Sequence, residues 1–124
     1  MSKLLALGAL LEAATGLALI IDPSLVVRLL LGDGIYGTAV ALGRVAGFGL
    51  LSLGLACWPG ANASGCLAKR AMFTYNLLVT GYLLYLGIGG DWVGILLWPA
   101  VTLHGVLTLL LAGAWLKERQ TKEP

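Results

Sequence analysis

The chain has 124 residues, of which 59% are hydrophobic and 11% are charged, and its formal net charge is +2. Soluble domains are about 45–50% apolar and about 25% charged, so this composition excludes a soluble globular domain and indicates a chain embedded in a membrane. It also excludes an intrinsically disordered chain and a disulfide-rich secreted scaffold. The net charge is too small to predict binding of nucleic acid. We expect a single membrane domain over 1–124.

The first predicted element is a membrane-spanning helix over about 4–21, in which Glu12 is the only ionisable residue. At 1.5 Å per residue, this segment is long enough to cross a hydrocarbon core of about 30 Å. Asp22 and Pro23 then predict the start of a new helix, because aspartate is a good N-cap and proline fits the first helical turn. The short segment 23–31 contains Arg28 and ends at a glycine, and it is therefore predicted to be an interfacial helix.

Three further spanning helices are predicted over about 35–57, 71–88 and 92–116. The loops that join them are short, and short loops favour antiparallel neighbours. The predicted fold class is therefore all-α, an integral membrane antiparallel four-helix bundle with a short interfacial helix after helix one. Trp98 and Pro99 are expected to interrupt or kink the last helix, because proline removes a backbone hydrogen-bond donor.

The distribution of basic residues predicts how the bundle is oriented. Lysine and arginine are concentrated near both ends of the chain and in the loop before the third span, whereas the opposite side carries one arginine and three aspartates. The positive-inside rule then places both termini in the cytoplasm, and we expect a multi-pass protein of a bacterial inner membrane. The basic residues on the cytoplasmic side are Lys3, Lys69, Arg70, Lys117, Arg119 and Lys122, and the charged residues on the other side are Arg28, Asp22, Asp33 and Asp91.

Ionisable residues inside the predicted spans are the main candidates for a functional site. Glu12 is near the middle of the first span and Arg44 near the middle of the second, where a charge costs roughly 2.5–3.5 kcal/mol on insertion scales. Opposite charges at similar depth predict a Glu12–Arg44 ion pair, and Gly43 next to Arg44 would let the helices approach closely. His104 is predicted at the same depth, which gives a Glu-Arg-His cluster. The pair has an alternative role, because buried ion pairs can serve only to fix helix register.

Other polar and aromatic residues of the spans complete the set of candidates for ligand binding or proton coupling. Tyr75, Asn76 and Thr80 are polar residues of the third span, and Asn76 and Thr80 share a helix face because they are four residues apart. Trp98 is included because of the predicted break at Pro99. Each of these residues could instead hold neighbouring helices together by hydrogen bonds. No metal site and no catalytic set is predicted.

Several of these features resemble known membrane protein families. A glutamate in helix one, a proline at its end, the Leu-Leu-Leu-Gly stretch at 29–32, the Arg-Val-Ala-Gly stretch at 44–47 and four short spans resemble small bacterial DoxX-like membrane proteins. The size and the central Glu12 are also similar to the small multidrug resistance exporters. Ala100 and His104 followed by Trp115 resemble the pigment-ligating stretch of light-harvesting polypeptides, which would imply a tetrapyrrole at His104. Otherwise no cofactor is expected.

Three classes of function follow from these observations. The first is a non-catalytic accessory subunit or a module that binds a small ligand or lipid at the intramembrane cluster. The second is a small oligomeric proton-coupled transporter or channel, in which Glu12 or His104 exchanges protons. The third is a membrane enzyme that modifies a lipid or quinone, with Glu12 and His104 as acid and base. The expected partners are the lipid bilayer and either further copies of the chain or another membrane protein.

Overall fold

The computed structural model describes residues 2–59 and 65–122. This part of the chain is all-helical and contains no strand. Four of its helices are long and apolar enough to cross a membrane, over Ser2–Ile21, Thr38–Ala56, Leu67–Gly89 and Leu97–Lys122. The helices are α1 (Ser2–Ile21), α2 (Pro23–Leu31), α3 (Thr38–Ala56), α4 (Gly65–Gly89) and α5 (Leu97–Lys122).

The short helix α2 forms where the sequence predicts it. Asp22 is its N-cap and accepts a hydrogen bond from the Leu25 backbone N–H at 3.1 Å, and Pro23 occupies the first turn. The helix ends at Gly32, whose φ of 87° is in the left-handed region that glycine adopts without strain. The backbone N–H of Gly32 donates to the Arg28 carbonyl at 2.9 Å. Both ends of α2 are therefore fixed by local residues.

The last helix begins five residues later than the predicted span 92–116, because backbone N–H groups just before it donate hydrogen bonds to α2. The N–H groups of Gly94 and Leu96 donate to the carbonyls of Leu30 and Leu29, at 3.0 and 2.8 Å. Pro99 consequently lies in the first turn of α5, where a missing N–H costs no helical hydrogen bond. The predicted interruption of the last helix at Trp98 and Pro99 is therefore wrong. Similarly, α3 begins at Thr38 rather than at residue 35.

Helices α1 and α3 pack through direct backbone contact. A Cβ atom placed on Gly16 would lie 2.6 Å from the carbonyl oxygen of Gly47, and one placed on Gly54 would lie 2.6 Å from that of Ala9. Neither position has room for a side chain. The two contacts occur in opposite chain order along the two helices. Gly54 follows Gly47 in α3, whereas its partner Ala9 precedes Gly16 in α1.

Helices α4 and α5 pack through side chains instead. Their contacts also occur in opposite chain order along the two helices. From one end of the pair to the other, these contacts are Lys69–Glu118, Phe73–Trp115, Asn76–His104 and Gly87–Trp98.

The two helix pairs, α1 with α3 and α4 with α5, meet at a small apolar core. Met72 of α4 is fully buried in this core, and its sulfur would lie 3.0 Å from a Cβ atom on Gly8 of α1. Contact between the pairs is less extensive than contact within each pair. Glu12 lies on α1 one turn beyond Gly8, so the same face of α1 carries a carboxyl group into this interface. The buried core residues are Leu5, Ala9, Cys57, Met72 and Leu111.

Candidate functional site

The carboxyl group of Glu12 is the most unusual feature of the interface between the helix pairs. The residue is only 1% exposed, and its Oε1 atom is buried without a hydrogen-bond partner. A buried polar atom of this kind costs about 1–3 kcal/mol relative to a satisfied one. Such atoms are rare in folded proteins, and each marks a place where strain, a missing ligand or a chemical role has to be considered.

The imidazole of His104 is held by the amide of Asn76, which is fully buried. Asn76 Nδ2 donates to the Met72 carbonyl at 2.8 Å, so its Oδ1 atom is the acceptor that faces His104 Nδ1 at 2.7 Å. Nδ1 of His104 therefore carries a hydrogen, and in a neutral ring Nε2 is the acceptor. The amide thus fixes both the orientation and the tautomer of the imidazole, as partners of functional histidines commonly do.

Glu12 lies beside this pair without completing a hydrogen bond to it. Its Oε1 atom is 3.8 Å from His104 Nδ1, whose N–H already donates to Asn76. The Tyr75 hydroxyl lies close to the same carboxyl, and the Tyr75 ring contacts the His104 ring edge-on, with centroids 6.0 Å apart. Glu12, Tyr75, Asn76 and His104 together are called the polar cluster below. It joins α1 to α4 and α5 at the interface between the helix pairs.

Arg44 is not part of the polar cluster, and the predicted Glu12–Arg44 ion pair is wrong. The Arg44 side chain is exposed, and its Nε atom donates to the Ile20 carbonyl at 3.2 Å, two helical turns away from Glu12 along α1. The register of the two helices explains the difference, because Arg44 lies three residues before Gly47, which meets Gly16, and is therefore beside the last turn of α1 rather than beside Glu12. The contact between Gly16 and Gly47 sets the register accordingly.

Two other predicted candidates lie outside direct contact with the Glu12 carboxyl. Thr80 donates its hydroxyl to the Asn76 carbonyl at 2.7 Å, and its methyl group faces Gly105 of α5. Trp98 is 46% exposed, and its ring fills the space in front of Gly87 at one end of the pair of α4 and α5. Thr80 therefore bonds to the backbone of the helix that carries Asn76. Trp98 lies six residues before His104 in α5, which is about 9 Å along the helix axis.

One polar residue that supports the cluster was not predicted from the sequence. Thr108 is 8% exposed and donates its hydroxyl to the His104 carbonyl at 2.7 Å. Its position four residues after His104 could have predicted it, because residues four apart share a helix face. Among residues 2–59 and 65–122, no three histidine, cysteine, aspartate or glutamate side chains come together as a metal site.

Chemically, the polar cluster presents one buried, unsatisfied acceptor or acid next to an orientated imidazole. It can accept a hydrogen bond from a bound group, or it can take up and release a proton. Comparisons with protein-family models, with curated proteins and with solved structures find no match to this chain, so the resemblance to DoxX-like membrane proteins stays a prediction.

Proposed function

We propose that this is an integral membrane protein whose four long helices cross a bacterial inner membrane as an antiparallel bundle. The opposite chain order of the contacts within each helix pair supports this topology. Nine residues are too few for α2 to span a bilayer, and its exposed Arg28 suits a position at the membrane surface. Under the positive-inside rule both termini are cytoplasmic.

Within this bundle, the polar cluster serves as a binding site for a small ligand or for the polar group of a lipid. The protein is then a non-catalytic binding module or accessory subunit. The observation that carries the proposal is the buried Oε1 atom of Glu12, which has no hydrogen-bond partner. A ligand that donates a hydrogen bond to this atom would remove the cost of leaving it unsatisfied.

A binding role suits the cluster better than catalysis does. An acid–base pair needs both Glu12 and His104 to exchange a proton with the same reacting group. Here the N–H of His104 that faces Glu12 is already used by Asn76, and the two groups are 3.8 Å apart. The imidazole is therefore held in place by the protein, while the carboxyl is left available.

Native mass spectrometry of the protein, extracted gently from its own membrane, tests this proposal. The three proteins to compare are wild type, Glu12→Gln and Glu118→Gln, where Glu118 is an exposed carboxylate paired with Lys69. We expect a ligand mass on wild type and on Glu118→Gln that is lost from Glu12→Gln. Circular dichroism of each variant verifies that the helices remain.

The outcomes separate the possible roles. A bound small molecule that depends on Glu12 supports a binding module, and a co-purifying polypeptide retained by wild type supports an accessory subunit. If all three proteins carry no bound mass and no partner, or if Glu12→Gln retains the wild-type ligand, the proposal fails.

A small oligomeric proton-coupled transporter is the second candidate. It is favoured by one specific observation, which is that among residues 2–59 and 65–122 no lysine or arginine lies within ion-pairing distance of Glu12, and the basic group beside it is the His104 imidazole at 3.8 Å. A carboxyl that is not permanently paired is free to exchange protons, and the less extensive contact between the helix pairs would let them move relative to each other.

Proton flux into proteoliposomes under an imposed pH gradient tests the transporter directly. Wild type and Glu118→Gln should both increase the flux above that of empty liposomes, and Glu12→Gln should not. A flux that is unchanged by Glu12→Gln would rule out this carboxyl as the coupling group.

A further inference from the structure

Arg44 lies in an unusual place for an arginine. It is six residues beyond Thr38, the first residue of α3, which is about 9 Å along the helix axis. Its side chain is exposed, and the neighbouring Leu42, Val45 and Phe48 are between 54% and 68% exposed. In the proposed bundle, these apolar side chains face lipid. A permanently charged group is therefore carried on a lipid-facing surface, inside a helix that is apolar enough to span the membrane.

In the part of the chain that the structure describes, the Arg44 guanidinium makes one hydrogen bond. Its Nε atom donates to the carbonyl of Ile20, which lies in the last turn of α1 and so lacks a helical partner. Within the described residues, no carboxylate lies within 4.0 Å of Arg44. Asp22, which is close in sequence to Ile20, accepts the N-cap hydrogen bond of α2 instead. The bond from Nε holds the guanidinium plane, and its terminal nitrogens donate to no group among residues 2–59 and 65–122.

The free edge of a guanidinium matches the geometry of a phosphate or a carboxylate. Two parallel N–H donors bind two oxygens of a phosphate, and such charge-assisted pairs are among the strongest hydrogen bonds in proteins. A long arginine side chain also extends from the apolar region towards the membrane boundary, where lipid phosphates lie. The N-terminal end of α3, which carries partial positive charge, favours an anion in the same region.

We propose that Arg44 binds the phosphate group of an anionic phospholipid, at the membrane boundary where α1 ends and α3 begins. A net negative headgroup is preferred because a zwitterionic headgroup carries its own ammonium group, which already neutralises the phosphate. The proposal rests on the membrane placement of the bundle but not on the polar cluster. Loss of lipid binding at Arg44 and loss of ligand binding at Glu12 are therefore separate results.

Lipid titration followed by native mass spectrometry tests this site. The protein, in neutral detergent, is titrated with phosphatidylglycerol and, separately, with phosphatidylcholine, and the apparent Kd of the first bound lipid is determined. The proteins are wild type, Arg44→Gln, Arg44→Lys and the control Arg70→Gln, which removes an exposed positive charge from α4. Circular dichroism and the mass of the assembly are recorded for each protein.

We expect wild type and Arg70→Gln to bind phosphatidylglycerol about fivefold more tightly than phosphatidylcholine, which is the contribution of one basic residue near a membrane surface. Arg44→Gln should lose this preference while keeping its helices. Arg44→Lys should retain only part of it, because an ammonium group cannot bind phosphate through two parallel donors.

Three results would overturn the proposal. The first is a folded Arg44→Gln protein with the full preference for phosphatidylglycerol. The second is competition by inorganic phosphate that abolishes the preference in wild type, which would make this a site for free phosphate. The third is an unchanged lipid preference with dissociation of an oligomer in Arg44→Gln, which would assign the guanidinium to a carboxylate of a second copy.

Discussion

The two helix pairs solve the same packing problem with different chemistry. In the pair of α1 and α3, glycines bring the two backbones together, and the carbonyl of Gly47 occupies the space where a side chain of Gly16 would be. In the pair of α4 and α5, the helices are joined by side chains, above all by the partly buried hydrogen bond between Asn76 and His104. One pair depends on having no side chains at its contact, and the other depends on particular polar ones.

This difference matters because apolar burial gives little preference for one helix partner over another in lipid. Association in a membrane relies on close van der Waals packing and on interhelical hydrogen bonds. The backbone contact fixes the register of α1 against α3 by shape alone. The contact between α4 and α5 fixes the register by pairing donors with acceptors, and it also prepares the imidazole that faces Glu12.

The largest effect is expected from adding a single methyl group to the glycine contact. A Cβ atom on Gly47 would lie 2.7 Å from the Gly16 carbonyl oxygen, which belongs to the backbone and cannot rotate away. We therefore expect Gly47→Ala to lower the free energy of unfolding by about 1–3 kcal/mol. Unfolding by sodium dodecyl sulfate in mixed micelles, followed by tryptophan fluorescence, measures this change.

Gly49→Ala is the matched control, because Gly49 lies on the same helix and a Cβ atom there meets nothing within 4 Å. This substitution should leave the stability unchanged or raise it by up to about 1 kcal/mol, since alanine favours the helix over glycine. If Gly47→Ala lowers the stability no more than Gly49→Ala does, the contact between the backbones does not hold α1 against α3.

A smaller effect is expected from breaking the polar contact of the second pair. Double-mutant cycles between polar residues of membrane helices give coupling energies of about 0.6 kcal/mol on average and about 1.7 kcal/mol at most. We expect the coupling energy between Asn76→Ala and His104→Ala to lie towards the upper end of this range, because Asn76 is fully buried. The same unfolding assay measures each single variant and the double variant.

Thr102→Val provides a comparison for this cycle. Thr102 is an exposed residue of α5 whose hydroxyl bonds only to the Trp98 carbonyl of its own helix. It should show no coupling to Asn76→Ala. If the coupling between Asn76 and His104 is zero as well, the hydrogen bond does not join the helices in the bilayer and the tautomer assignment of His104 loses its basis.

The two pairs also differ in how far the sequence predicts them. Gly43, next to Arg44, indicated close packing of the helices, and the cap at Asp22 with Pro23 indicated α2 correctly. Sequence spacing nevertheless placed Arg44 at the depth of Glu12, because both residues lie near the middle of their predicted spans. The contact of Gly16 with Gly47 sets the actual register, and it moves Arg44 to the end of α1.

The polar cluster shows a related limit. Glu12, Tyr75, Asn76 and His104 were all recognised from the sequence as costly or polar groups inside spans. Which of them would touch depends on the relative rotation and register of three helices, and a single sequence does not contain that information. The amide of Asn76 therefore appeared as a general polar residue, whereas the structure makes it the partner that orientates His104.

The smallest effect is expected from the ion pair between Lys69 and Glu118, although their 2.7 Å contact is as short as that between Asn76 and His104. Water and salt reach this pair, because the two side chains are 21% and 36% exposed, and screening offsets most of the attraction. Glu118→Gln should therefore show no resolvable loss of stability at physiological salt and a small loss at low salt. A loss as large as that of Asn76→Ala would contradict this expectation, since it would mean that the end of the helix pair, rather than the buried amide at its centre, holds α4 against α5.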